Sequence, residues 1–287
     1  MNELPSIQTS HLFPILHQKL IVLLRGLSTG DWQLETVCAD WSVKDIAAHL
    51  LDTSLRTIAT YRDGYSSPDT PRIQSYQDLV NYLNQLNNDW VRATRRLSPA
   101  VLIDWLAQAG READALIMAL PPNEPALFSV AWAGQAVSPN WFHVAREYTE
   151  RWHHQQQIRL AVGQTADLET DELYQPLLDT FMRALPHAYR DTPAPAGTLL
   201  QFTVANLAGG NWFLLRRHNH WTLLPSGQRT WNGGSPHEPS AVVHIDRSYA
   251  WQLMTRNLAP ELAALHVRIE GDQALGRQFL QMRSVMM

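Results

Sequence analysis

The chain has 287 residues, 45% of them apolar, with a formal net charge of −4 and a pI near 6.3. That length accommodates two domains of ordinary size, and that apolar content suffices for packed cores. No basic block is present, which excludes an electrostatic footprint for nucleic acid, and no run approaches the ~20 apolar residues of a membrane span. Of the 23 basic residues only Lys19 and Lys44 are lysines; arginine suits anion recognition wherever it converges on a pocket. The single cysteine, Cys38, excludes an internal disulfide and fits a reducing compartment. With a polar N-terminus that lacks a signal-peptide core, the expectation is a soluble, cytoplasmic protein.

Apolar residues at helical spacing predict a first helix over 11–27, settled after Pro14. After a loop, Ser42 stands as an N-cap with Asp45 three residues on, opening a second helix that carries His49 on its core-facing side. A third helix is expected over about 75–97 and a fourth over about 99–119, the latter either separate or a continuation of the third broken at Pro99, then a turn-rich loop over 121–137. Residues 138–163 read as one long helix, capped by Ser138, with Pro139 at its first position and Gly163 at a left-handed C-cap. These helices make an antiparallel bundle.

Composition changes after Gly163. One more helix, over 171–190 and broken at Pro186, leads through a Pro-rich turn to β-type runs at 198–205, 211–217, 220–225 and 240–246. A helix at 248–258, a strand at 266–272 and a terminal helix at 273–286 complete an α+β half with a mainly antiparallel sheet. The expected architecture is therefore a four-helix bundle over 1–165 followed by a smaller α+β domain over 166–287.

The long helix holds the chemistry. His143, Glu147, Glu150 and His154 are spaced 4, 3 and 4 apart, which at about 100° per residue aligns them on one stripe. Such a stripe normally faces the core, where imidazoles and carboxylates need a partner, and a metal ion is one. Glu150 and His154 point the same way, and His49 from the second helix closes a three-ligand face with an open position for water or a substrate sulfur. Imidazole with carboxylate favours Zn2+, and Ni2+, Fe2+ or Mn2+ would be accepted. The competing reading of the Glu-x-x-x-His pair is a solvated salt-bridging face.

His143 and Glu147 are left as orienting groups, alternative ligands or polar interior residues. His153, about 100° from His154, is assigned to packing or surface. Cys38 reads as a buried structural thiol, since it has no C-x-x-C partner. His11, His17, His187, His218, His220, His237, His244 and His266 show no ligand spacing. The 11 tryptophans are scattered and are assigned to packing. There is no phosphate loop, nucleophile elbow or HExxH motif.

Residues 38–50, CADWSVKDIAAHL, resemble the second-helix pattern of the mycothiol-dependent maleylpyruvate isomerase family, and 146–163, REYTERWHHQQQIRLAVG, resemble its metal-binding helix. Residues 240–258 and 267–280 are similar to its C-terminal domain. The resemblance implies a DinB-like four-helix bundle joined to a sterol-carrier-protein-like α+β domain. It implies metal ligands at His49, Glu150 and His154, the three the helical spacing selects. A family arginine that acts on substrate carboxylates corresponds to Arg268, with Arg256 as competitor. The chain departs from the pattern at Gln157, where the family carries Asp, and the loop over 230–242 offers no match to a thiol contact.

The function implied is that of a metal-dependent enzyme using a low-molecular-weight thiol, such as mycothiol or bacillithiol, for isomerisation or S-transfer on a small electrophile. Its alternatives are a non-enzymatic binding or regulatory module with a remnant metal site, and a metal hydrolase that needs no thiol. The expected partners are small molecules, with neither nucleic acid nor membrane; oligomeric state is left open.

Overall fold

The computed structural model describes residues 4–68, 71–225 and 238–284. His237 and most of the loop over 230–242 lie outside the described residues. Contacts group the chain into two compact units. One holds Thr9–Pro122 with Glu147–Leu168; the other holds Asn123–Arg146 and the described residues from Glu169 onward, with the segment up to Gln8. The loop from Asn123 onward and the first turns of the long helix thus fall with the α+β residues.

The helical unit contains α1 (Phe13–Gly26), α2 (Val43–Tyr61), α3 (Tyr76–Thr94), α4 (Pro99–Met118) and the C-terminal two-thirds of α5 (Asn140–Ala161). Each start has a chemical cause. In α2 the Ser42 side chain accepts from the Asp45 N–H while Asp45 accepts from the Ser42 N–H, a closed capping box that contributes about 1 kcal/mol. Ser75 and Asp78 repeat it at α3, and Ser98 with Pro99 opens α4. The core is the apolar stripe of α2 (Val43, Ile46, Ala47, Leu50, Leu51, Ile58) packed against Leu20, Leu24, Leu102, Leu106 and Ala113 of α1 and α4. With Val80, Val91 and Thr94 as its buried residues, α3 is peripheral and is tied to α2 by Trp90 Nε1 donating to the Ala48 carbonyl and by the Arg95–Asp45 pair.

The C-terminus of α5 follows the expected pattern. Gly163 adopts φ +70°, the Gln164 N–H reaches the Arg159 carbonyl and the Gly163 N–H reaches Leu160, a Schellman closure that only a residue without Cβ enters cheaply. The N-terminus differs from expectation. The Ser138 hydroxyl accepts from the Val130 N–H instead of capping, and the Pro139 carbonyl receives the first helical bonds, from Phe142 and His143. The loop before the helix captures the capping side chain.

In the other unit α6 (Asp171–Met182) and α7 (Leu185–Ala188) are separated just before Pro186. Strands β1 (Leu199–Val204), β2 (Asn211–Arg216), β3 (Trp221–Leu223), β4 (Ala241–Ile245) and β5 (Val267–Gly271) form one sheet in the order β3-β2-β1-β4-β5. β1 runs parallel to β4, and the other three pairings are antiparallel. Alternation is clean: Leu200, Phe202 and Val204 of β1 and Ala241, Val243 and Ile245 of β4 are buried, with Gln201, Thr203, Val242 and His244 between them half-buried. Three helices follow β4: α8 (Arg247–Met254), α9 (Pro260–Leu265), which periodicity does not signal, and α10 (Gln273–Arg277). The terminal helix expected over 273–286 is shorter, ending in a 3-10 turn at Gln278–Gln281. Tyr174 anchors α6 to α8 by donating to the Arg247 carbonyl and accepting from the Trp251 N–H. The fold is a helical bundle followed by a small α+β domain.

Candidate metal centre

Between Glu147 and Ala161, α5 buries polar side chains on nearly every face. Burial of such groups is costly unless they are bonded, and several bonds hold them. Arg151 meets Asp114 of α4 at 2.5 Å, and burial pushes that carboxyl up while Arg151 pulls it down. Gln155, with its amide oriented to donate to the Leu16 carbonyl and accept from the Leu20 N–H, stitches α5 to α1. Gln156 donates to the Thr165 carbonyl, and Arg159 donates to Asp167 and to the carbonyls of Gln164 and Lys19. These bonds fix the rotation of α5, and so fix where Glu150, His153 and His154 lie.

One ligand-type atom from each of Glu150, His153 and His154 lies within 4.8 Å of the other two. His154 Nε2 is 3.7 Å from Glu150 Oε2, too long for a good hydrogen bond. Two ligands of one tetrahedral ion, each ~2.1 Å from it, stand roughly 3.4 Å apart, so the spacing suits a shared cation. The His154 Nδ1 meets Gln157 Oε1 at 2.8 Å. An Nδ1–H donated there leaves the Nε2 lone pair facing Glu150, which is the orientation a bound metal needs. Gln157 therefore takes up the supporting position in which the sequence pattern has Asp.

His49 of α2 stands beside this group, its ring centroid 4.6 Å from that of His154 and 5.0 Å from the Trp41 ring. Its Nδ1 is buried with no hydrogen-bond partner among the described residues. An orphaned buried nitrogen normally costs about 1–3 kcal/mol, and a cation shared with His154 would satisfy it. Burial, with the neighbouring charges of His154, Arg56 and His153, holds the His49 pKa well below the usual imidazole value. Burial likewise brings His153 down to about 4 and His154 down to about 3. All three rings are neutral near pH 7, so protons do not compete with a metal there. Glu150 is the open side, its side chain 30% exposed.

The structure places His154 beside Glu150 and packs the His49 ring against that of His154, while the ligand-type atoms within 4.8 Å of one another are those of Glu150, His154 and His153, the last of which stripe geometry assigns to packing or surface. The missed signal is Glu150-x-x-His153, an i,i+3 pair of the kind that ligates metals inside helical bundles. His143 is buried against Phe128 and its Nδ1 lies 2.9 Å from Arg146, in the other unit from the cluster. Arg268 also belongs to that other unit. It lies on β5 with its side chain 65% exposed, pairs with Glu270 and is directly opposite His244 of β4. Arg256 sits at φ +54° and donates to the Gln281 carbonyl. Cys38 is half-buried, and burial pushes its thiol up to about 11, which makes it a poor nucleophile at neutral pH.

The family model for the mycothiol maleylpyruvate isomerase N-terminal domain matches residues 13–159, just over half of the chain and the stretch that carries His49, Glu150, His153 and His154. No curated protein matches in sequence. Among solved structures, the crystal structure of a histidine-to-alanine mutant of the mycothiol-dependent maleylpyruvate isomerase aligns over 93% of this chain and 93% of its own, with 12% identity and a TM-score of 0.55. A second crystal structure of the mycothiol-dependent maleylpyruvate isomerase aligns over 88% and 90% at 12% identity, with a TM-score of 0.49, too low to argue from. The same holds for the sterol carrier protein domain 2 of Helicoverpa armigera, which aligns over 35% of this chain and 82% of its own at 20% identity, with a TM-score of 0.25. The first alignment shows a shared fold across nearly the whole chain, and the family match adds descent: the chain belongs to the mycothiol maleylpyruvate isomerase N-terminal domain family.

Proposed function

We propose that this protein is a metal-dependent enzyme that uses a low-molecular-weight thiol to isomerise, or transfer sulfur to, a small electrophilic substrate. The observation that carries the reading is the cluster itself. The His49 ring packs on that of His154, whose Nε2 is freed by Gln157 and lies beside the Glu150 carboxylate, all within the family-matched segment. His49, Glu150 and His154 would hold the ion, with Zn2+ the best match and Ni2+, Fe2+ or Mn2+ acceptable. A divalent ion held there keeps a coordinated thiol ionised at neutral pH.

The chain's own residues supply the rest. Gln157 fixes the His154 tautomer, Trp41 walls the His49 side, and the partly exposed Glu150 marks the side from which a thiol enters. Addition of the thiol across an activated double bond, rotation about the resulting single bond and elimination of the same thiol give cis–trans isomerisation with no net consumption. Attack with loss of a leaving group gives S-transfer instead. We assign Arg268 to the substrate carboxylates, where its planar fork suits bidentate binding; Glu270 is its present partner and would be displaced. Arg256 is the alternative for that role. Mycothiol is the thiol favoured by the family and by the name of the related crystal structure, with bacillithiol a second choice. We further assign the metal site to a domain over 1–165 and the carboxylate site to one over 166–287, in a cytoplasmic protein. No helix among the described residues is long and apolar enough to cross a membrane.

The test is metal analysis of the purified protein combined with melting in the presence of mycothiol, bacillithiol or glutathione. Stoichiometric metal and a melting temperature raised by one thiol support the reading, since a ligand binding only the native state stabilises it by mass action. No metal and no thiol response would favour a binding or regulatory module instead. Turnover of an electrophile without added thiol would point to a metal hydrolase.

A further inference from the structure

We infer that His153 is a fourth metal ligand, so that α5 alone supplies three donors, Glu150, His153 and His154, and α2 adds His49. The inference rests on the metal reading above and concerns a residue outside the set that helical spacing selects.

Three observations carry it. A nitrogen of His153 belongs to the group of ligand-type atoms lying within 4.8 Å of one another, together with Glu150 and His154. The His153 Nδ1 lies 2.8 Å from the Thr149 carbonyl, one turn back on α5. A carbonyl only accepts, so Nδ1 carries the proton and Nε2 is left with its lone pair, the same assignment that Gln157 imposes on His154. The two rings lie against each other, with centroids 4.0 Å apart and planes 37° from parallel, and both are buried. Thr149 thus fixes the ring through Nδ1 and leaves Nε2 unprotonated, the form in which an imidazole nitrogen ligates a metal.

The chemical consequence is a site built mostly on one rigid helix. Three donors on α5 are held in place by the bonds of Arg151, Gln155, Gln156 and Arg159, so the site is preorganised before α2 contributes. Glu150 is the most exposed of these donors, so it would mark the side open to a small molecule.

The test is nitrogen-15 NMR of histidine-labelled protein, read at the imidazole nitrogens while Zn2+ is added to the metal-free chain, with H153Q to assign the His153 signals. The glutamine substitution keeps a polar side chain of similar length, and a melting curve without metal establishes that the variant folds. A Zn2+-dependent shift at a His153 ring nitrogen, with Zn2+ affinity at least tenfold weaker in H153Q, is the expected result. Shifts confined to other rings, with unchanged affinity in H153Q, would overturn the inference and leave the metal reading intact. No shift at any ring, with no Zn2+ bound, would overturn both. If H153Q does not fold, the number of rings that shift in the wild-type protein decides: three support a His153 ligand and two overturn it.

Discussion

Helices α2 and α5 both carry site residues, and they are built in opposite ways. α2 is an ordinary amphipathic helix: a capping box, an apolar stripe from Val43 to Ile58, and one imidazole, His49, set into that stripe. α5 has no apolar face of that kind. Its buried positions include Thr149, His153, His154, Gln155, Gln156, Gln157 and Arg159 beside Tyr148, Trp152 and Ile158. The first helix is held by burial of hydrocarbon, the second by hydrogen bonds and ion pairs in a place where neither can be left unmade. The comparison separates the two tasks. α2 makes the core; α5 gives up apolar packing so that a polar cluster stays in one position.

That contrast can be broken by mutation. The largest effect is expected for Arg151→Ala, which leaves the Asp114 carboxyl buried without its cation and should cost about 3–5 kcal/mol in urea unfolding. Loss of less than about 1 kcal/mol would show that the α5 ion pair does not hold the helix. Leu51→Ala on α2 removes a fully buried side chain and should cost roughly 2–5 kcal/mol, with the metal affinity of the folded protein retained.

Acid should act on the buried imidazoles, His49 of α2 and His153 and His154 of α5. The folded-state pKa values of His153 and His154 are pushed down to about 4 and about 3, against ~6.5 in the unfolded chain, so the unfolded state binds more protons below pH 6.5. Stability contributed by keeping these rings neutral is complete above about pH 6.5 and is lost as pH falls towards their folded values. Metal-free protein melted from pH 7 to about 4 should lose stability across that window, and replacing His153 by Gln should flatten the profile. A profile that stays flat in the wild type would contradict the burial account. The smallest effect is expected for Ser42→Ala, about 1 kcal/mol through the lost cap of α2.

Sequence periodicity makes the bundle legible because α1, α2 and α4 satisfy the rules of apolar spacing and capping, and Gly163 marks the end of α5 through the left-handed backbone it adopts there. The strands are legible as β-type runs separated by Gly, Asn and Pro, although β2 is buried at four consecutive positions and does not alternate. What fails does so for local reasons. Ser138 looks like an N-cap in isolation, but its hydroxyl is taken by the Val130 N–H from a loop whose path no spacing rule predicts. His153 escapes the spacing argument because a stripe is drawn through Cβ directions, whereas an imidazole reaches beyond its own stripe and ring nitrogens meet where Cβ atoms do not. Gln157 departs from the family pattern in sequence yet lies 2.8 Å from the His154 nitrogen, because an amide oxygen accepts a hydrogen bond as a carboxylate oxygen does.

The most direct test of the central claim is the metal content of the purified protein beside that of His49→Ala, with circular dichroism to confirm that both are helical. The account predicts about one equivalent of divalent metal in the wild type and a substoichiometric amount in the variant, because the proposed site takes His49 as a ligand beside Glu150 and His154. Full metal occupancy in a folded His49→Ala protein would contradict it.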